Sequence, residues 1–324
     1  MTPDFKVIAA GTNITDQIKD RLLGLVVTDE AGRKADTVEI QPDDRDGLIE
    51  LPAPGAELQV FMGYSETGLV PMGLFTSDEV TVSSPPATLS IRAKSADLGG
   101  PIKDQKSRSW DKKTLGEIVQ TIAGEQGLEP KIAQRFASIY YEHIDQADES
   151  DLSFLDRLGR DHDALVSVKG GALLFMGRGE GRTVSGQPIP PRPLPQSDTS
   201  NWMLTLTTRE NYKTVSAAWH DKTAAKRKEV VAGEGKPVLK LRHPYATEAE
   251  AKAAAAAKLD EIGRGNDTFE ATVTGDPLIA AEGRVLASGF RAGVNGLWSL
   301  TAVTHEPSAS GYRTTVRAER PKVD

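Results

Sequence analysis

Five carboxylates crowd one short stretch of this chain: Glu149, Asp151, Asp156, Asp161 and Asp163. Two carboxyl groups on either side of a glycosidic bond, one protonated and one ionised, are what polysaccharide cleavage requires. The same residues have a plainer use. Glu149 and Asp151 flank Ser150 just before an apolar run, where a hydroxyl and negative charge suit the positive start of a helix. Asp161-His162-Asp163 reads as a loop. Other chemistry is missing its parts. Gly63-Tyr64-Ser65-Glu66-Thr67 lacks the last glycine of a nucleophile elbow, and His305-Glu306 runs into Pro307 with no second histidine for a zinc motif. Gly177-Arg178-Gly179 does not complete a dinucleotide fingerprint, and Gly235-Lys236 meets proline where a phosphate loop needs Ser or Thr. The histidines at 143, 162, 220, 243 and 305 are scattered, and there is no cysteine to act as nucleophile, thiolate ligand or disulfide partner. We therefore expect no catalytic, cofactor-binding or metal-binding residues, and not an enzyme.

The elements that would carry these residues alternate in type. Residues 6–96 are strand-like, with polar and apolar residues alternating through Thr37-Val38-Glu39-Ile40 and Thr88 to Ala93, and Pro52, Pro54 and Gly55 as punctuation. The period then changes. Thr114-Leu115-Gly116-Glu117 is a capping box, followed by Leu115, Ile118, Val119 and Ile122 at helical spacing. Ser150 starts a second helix with a Leu152, Leu155, Leu158 stripe and Phe154 beside it. Residues 164–168 and 172–176 form a hairpin across Lys169-Gly170-Gly171. Residues 177–200 are rich in glycine, then proline, and read as a linker. Strands resume at 203–208 and 214–220, Thr247 to Glu250 caps an alanine-rich helix, and strands close the chain from 269 to 318.

Composition narrows the role further. With 324 residues, 38% hydrophobic and 26% charged, the chain has room for two or three globular domains. A net charge of −7 speaks against general nucleic-acid binding, which needs a basic face. The start Met1-Thr2-Pro3-Asp4-Phe5-Lys6 has no signal pattern, and no run is apolar enough to insert in a membrane. Lys222, Lys226, Arg227 and Lys228 suit a solvated hairpin tip or an acidic partner, while Trp110, Trp202, Trp219 and Trp298 suit core or interface packing.

A repeat links the two ends of the chain. Gly55, Leu58 and Val60 lead to Gly73-Leu74-Phe75, Val80 and Ile91-Arg92-Ala93; Gly283, Val285 and Leu286 lead to Gly296-Leu297-Trp298, Val303 and Val316-Arg317-Ala318. The second glycine precedes the arginine by 19 residues in one copy and 21 in the other. Each copy reads as three strands joined by a glycine-bearing turn and a polar turn, the latter at 83–86 and 307–311.

Gln146, Glu149-Ser150-Asp151-Leu152-Ser153-Phe154-Leu155, Arg157-Leu158, Asp161 and the hairpin ending Leu173-Leu174-Phe175 together resemble the late control protein D family of contractile phage tails. That family is similar to the hub of phage Mu and to the N-terminal hub part of VgrG. The resemblance extends over Lys106, Ser107, Trp110, Thr114, Leu158, Gly275, Gly283, Gly311 and Tyr312, which would be signature residues of structural kind. It implies an α+β, mainly β hub: a first β-barrel over 1–97, an α/β domain over 98–178, a linker over 179–200, and a second tube-like β-barrel over 201–324 with an inserted helix at about 248–262. It also implies a homotrimer whose six similar barrels join a central spike protein to the tail tube protein, with the tape-measure protein nearby. DNA passage without specific recognition fits the acidic charge. The place implied is the baseplate of a virion or tail-like particle, after synthesis in the bacterial cytoplasm. Because the chain stops at Asp324, the spike is expected to be a separate polypeptide. A baseplate cell-wall hydrolase and the hub portion of a type VI secretion-like spike are the competing readings. Phe154→Ala or Leu155→Ala should destabilise the fold by roughly 3–5 kcal/mol if the side chain is fully buried.

Overall fold

Alternation becomes strands throughout the first part of the chain. β1 (Pro3–Ala9) turns into β2 (Thr12–Asn13), and a single turn of helix, α1 (Thr15–Ile18), leads to β3 (Leu22–Glu30). Then follow β4 (Thr37–Pro42), β5 (Glu57–Tyr64), β6 (Gly68–Ser83) and β7 (Thr88–Ser95). These strands pair antiparallel in the spatial order β3-β4-β7-β6-β5-β1-β2. Inward positions Val7, Val27, Val38, Leu58, Val60, Phe75 and Leu89 form one buried core. In this computed structural model residues 1–321 are described, except 33, 54, 96–100, 208–211, 222, 266 and 309. The expectations placed on Pro54, the 97/98 boundary, Thr208, Lys222, Ala309 and Asp324 lie outside the described residues.

The middle of the chain changes period, as its capped helix starts require. β8 (Gln105–Thr114) runs into α2 (Leu115–Glu125), then β9 (Glu129–Ile132), α3 (Gln134–Ala137) and β10 (Tyr140–Ser150). α4 (Asp151–Asp161) and the hairpin of β11 (Ala164–Lys169) and β12 (Ala172–Gly177) complete the unit. Thr114 Oγ1 accepts from the Glu117 amide at 3.2 Å, and the Glu117 carboxylate accepts from the Thr114 amide at 2.8 Å. Ser150 Oγ caps α4 by accepting from the Ser153 amide. Leu115, Ile118, Ile122, Phe154, Leu155, Leu158 and Phe175 are all fully buried in a shared core. α4 lies over β11 of the hairpin. At Gly159 an added Cβ would come within 3.1 Å of the Ala164 carbonyl oxygen, so a bare backbone lets helix and strand approach there.

The proline-rich segment expected as a linker contains a strand, β13 (Arg192–Pro195), parallel to a later one. Pro193 and Pro195 cannot donate to a ladder, and β13 sits where strands tolerate this, with one neighbouring strand among the described residues. β14 (Thr199–Leu206) is followed by β15 (Thr214–Asp221), β16 (Lys226–Gly233), β17 (Val238–Lys240) and α5 (Glu248–Gly265). β16-β15-β17 form a separate sheet under α5, with Val215, Ala217, Ala251, Ala255 and Ile262 as its core. β18 (Asp267–Thr274), β19 (Arg284–Ser288), β20 (Gly296–Ser308) and β21 (Gly311–Glu319) then return to the large sheet. Among the described residues that sheet has 13 strands and runs continuously from β14 through β20 and β3 to β2. Among the described residues its ends do not pair, so the two repeat copies share one open sheet instead of forming two closed barrels. β3 is the reason, since it pairs with β20 and stitches the copies edge to edge.

Candidate functional site

The acidic stretch around α4 forms a set of tethers. Asp151, at the first position of the helix, is fully buried. Its carboxylate accepts from Lys106 Nζ at 2.6 Å, Arg108 Nη2 at 2.7 Å, Gln146 Nε2 at 2.9 Å and Gln126 Nε2 at 3.2 Å. Glu125 pairs with the same two cations at 3.0 and 2.6 Å. Burial pushes the Asp151 carboxyl up. The hydrogen bonds from Lys106 and Gln146 and the charges of Arg108 and Lys106 outweigh it and hold the group below its ordinary range. A general acid for glycoside cleavage needs the opposite shift. The other four carboxylates are also engaged: Glu149 with Arg157 at 3.0 Å, Asp156 with Arg160 at 3.3 Å, Asp161 with the Tyr245 hydroxyl at 3.0 Å and Asp163 with Arg264. Burial raises Asp161, and the hydroxyl it accepts comes from the chain beside α5, so this bond joins two units. Asp163 and Arg264 do the same as a buried, two-pronged pair. No group of three or more His, Asp or Glu side chains is gathered for a metal among the described residues.

Aromatic packing completes the α4 cluster. Trp110 and Phe154 stack with ring centres 6.1 Å apart, and the Arg108 and Arg157 guanidinium groups lie over them at 4.4 and 5.1 Å. Ser107 Oγ donates to Asp148 and accepts from its amide, pinning the bulge between Gln146 and Glu149 where Asp148 has φ of 49°.

The two repeat copies coincide pair by pair. Leu58 faces Phe75 and Val60 faces Gly73; Val285 faces Trp298 and Ala287 faces Gly296. Both registers then break at a bulge, between Ser77 and Glu79 in one copy and between Leu300 and Ala302 in the other. Beyond it Arg92 faces Glu79 and Val80 faces Ile91, where Arg317 faces Ala302 and Val303 faces Val316. The match runs two strands further than the sequence echo. Glu39 lies opposite Arg92 as Glu270 lies opposite Arg317, so β4 answers to β18. Val27 faces Val38 as Leu204 faces Phe269, so β3 answers to β14. Gly73 and Gly296, read from sequence as turn residues, sit in strands at φ of 144° and 124°, backbone that favours glycine.

Between the copies, Tyr64 donates to the Gly275 carbonyl at 2.8 Å and packs on Tyr312, whose hydroxyl meets His305 at 2.9 Å. A Cβ on Gly275 would fall 2.1 Å from the Tyr312 ring, which accounts for glycine there. Gly283 is confined similarly by the Ala280 carbonyl at 2.9 Å, and Gly311 takes φ of 142° in the β20–β21 hairpin. Lys169, the last residue of β11, reaches Asp29 at 2.5 Å and the Glu30 carbonyl at 3.1 Å beside the same junction.

The phage tail baseplate hub (GPD) family matches residues 77–310 of this chain. The chain is also 36% identical to the probable baseplate hub protein of Escherichia phage P2, over 98% of this chain and 93% of that one. It belongs to the phage tail baseplate hub family. The probable baseplate hub protein of Escherichia phage 186 is 34% identical over the same shares of both chains. The 43 kDa tail protein of prophage MuSo2 from Shewanella oneidensis has the same fold, with a TM-score of 0.70, 16% identity and 99% of both chains covered. The chain is accordingly a structural baseplate hub protein of a phage tail, and no helix among its described residues is long and apolar enough to cross a membrane.

As a hub protein it brings most of the residues singled out from sequence into two places. Lys106, Ser107, Trp110, Gln146, Glu149, Ser150, Asp151, Phe154, Leu155 and Leu158 gather around α4, while Gly275, Gly283, Gly311 and Tyr312 lie near the junction of the copies. Thr114 acts apart from the ion cluster, as the cap of α2. Sequence reasoning missed Arg108, Gln126 and Arg264. Arg108 had a signal, since it alternates with Lys106 and Trp110 on one strand face. Arg264 had none, because its partner Asp163 is 101 residues away.

Proposed function

We propose that this hub protein is a homotrimeric symmetry adaptor. Three chains, each with two copies of the β3-β4-β7-β6-β5 unit, would place six similar wall segments around the tail axis. The observation that carries the reading is the register match between copies, bulge included. Units that share a hydrogen-bonding frame can take equivalent places in a ring, while the insertions that differ can meet different partners. On this reading each copy is one barrel-like segment, and the domain division at 1–97, 98–178, 179–200 and 201–324 follows it. A central spike protein would engage the three-fold face, the tail tube protein the six-fold face, and the tape-measure protein the lumen. An acidic chain would let DNA pass without gripping it.

The role is mechanical and not hydrolytic. Asp151 supports this, since its carboxylate is spent on Lys106 and Arg108. Native mass spectrometry of the purified chain, alone and with its spike protein, tests the proposal. A trimer is expected in at least one of the two, and a monomer in both overturns it.

A further inference from the structure

Inside one chain the first copy meets the second through β3 and β20. Val27 faces His305, Thr28 faces Thr304, Asp29 faces Val303 and Glu30 faces Ala302, with the two threonine hydroxyls 3.4 Å apart. Each of these strands has a counterpart in the other copy. β14 answers to β3, and β6 answers to β20. The counterparts, however, do not meet each other. β14 pairs with β18 on one side only, and β6 past Ser77 pairs with β7 on one side only, among the described residues. One junction is therefore filled within the chain, and the matching junction is left as two separate free edges among the described residues.

Carrying the internal register over to the free edges puts Thr205 opposite Thr81, Leu204 opposite Val82 and Leu206 opposite Val80. Two features of the edges fit. The threonine pair at the centre of the internal junction is reproduced by residue type. Of the flanking positions, Val82 and Leu206 stand 55% and 66% exposed and Val80 and Leu204 are partly buried, whereas Val303 and His305 at the filled junction are buried. An open apolar edge of this kind invites another strand.

We propose that β14 of one chain pairs antiparallel with the 79–82 part of β6 of a second copy of the same chain, in the register Thr205–Thr81. The interface joins two different surfaces, so repetition closes a ring or runs on as a filament. Closure after three chains rests on the trimer reading above. With it, all six junctions of the ring are of one kind, three within chains and three between them.

The chain has no cysteine, so a disulfide can report the register directly. The test is Thr81→Cys/Thr205→Cys, oxidised at tens of micromolar and resolved without reductant, beside native mass spectrometry of the unsubstituted chain. Thr28→Cys/Thr304→Cys is the internal control and should close within one chain. A reducible ladder of linked chains with 81 joined to 205 is expected. A trimer in which 81 and 205 do not link overturns the pairing and leaves the trimer standing. A monomer without links overturns both, and a link formed within one chain overturns the pairing. Leu206→Lys, at an exposed position, should weaken self-association at least tenfold while the far-ultraviolet circular dichroism of the folded chain stays unchanged; unchanged association would also count against the pairing.

Discussion

The two copies of the strand unit share their hydrogen-bond frame and differ in nearly everything attached to it. β3 reaches β4 through residues 31–36, but the counterpart strands β14 and β18 are separated by residues 207–266, which hold a three-stranded sheet and α5. β5 is flanked by antiparallel β1, whereas β19 is flanked by parallel, proline-bearing β13. The cores diverge as well. Phe75 fills the first, while Trp298 fills the second against a tilted Phe269, whose ring meets Phe290 edge to face as Phe290 meets Trp202. What the copies keep is backbone register, and side-chain volume is free to change as long as each core stays filled.

The largest expected effect tests that statement. Trp298→Ala and Phe75→Ala remove counterpart side chains that are at most 1% exposed, and each should destabilise the fold by roughly 3–5 kcal/mol. Trp298→Ala should be the worse, because it also strands the Val294 carbonyl that the indole N–H serves at 2.7 Å. Chemical denaturation of both variants measures the difference, and a much milder Trp298→Ala would mean that the second core is the looser one.

Asp151→Ala lies outside both copies and should show whether the α4 unit is held independently of them. It leaves Lys106 and Arg108 with Glu125 as their remaining shared carboxylate, at a loss of about 3 kcal/mol, the low end for a broken buried pair because both cations are partly exposed and keep that partner. Thermal unfolding should show the loss, and subunit association should survive in the folded fraction.

The same unit should respond to acid, and burial of His305 on β20 pushes the second copy in the same direction. Burial pushes the His162 imidazole down to about 4 from an ordinary 6.5, and its Nε2 meets the Tyr141 hydroxyl at 2.8 Å. A group whose folded value is depressed contributes stability above 6.5 and loses it as pH falls toward 4. Between pH 7 and 5 the loss should be about 2 kcal/mol. His162→Gln should flatten that part of the stability profile, and an unchanged slope would remove His162 from the account.

The smallest effect sharpens the comparison most. Arg92 with Glu39 and Arg317 with Glu270 are the same cross-strand pair in the two copies, both on exposed faces. Arg92→Ala and Arg317→Ala should each change stability by less than about 0.5 kcal/mol, and by similar amounts. A large effect at one alone would show that its copy uses the arginine for more than pairing within the sheet.

Local signals were readable in the chain. The Thr114 and Ser150 caps, the 164–176 hairpin and the helix after Thr247 all follow from residues a few positions apart. Half of the site was readable as well. Lys106, Gln146 and Asp151 stood out, but Arg108 and Gln126 did not, since they join Asp151 only after β8 and β10 pair and α2 packs beside them. Gly73 was misread because a positive φ serves a strand irregularity as well as a turn.

The sequence by itself determined the capped helix starts, the 164–176 hairpin, the exclusion of cysteine chemistry and the recurrence of one strand pattern, because each depends on residue types or on neighbours within a turn or a hairpin. Only the tertiary structure decided that β3 pairs with β20, that the two copies share one sheet, that β15–β17 and α5 stand apart, and that Asp163 holds Arg264. Strand order and buried ion pairs bring together residues up to hundreds of positions apart, and the period of a pattern specifies which face a residue takes, never which distant edge it will meet.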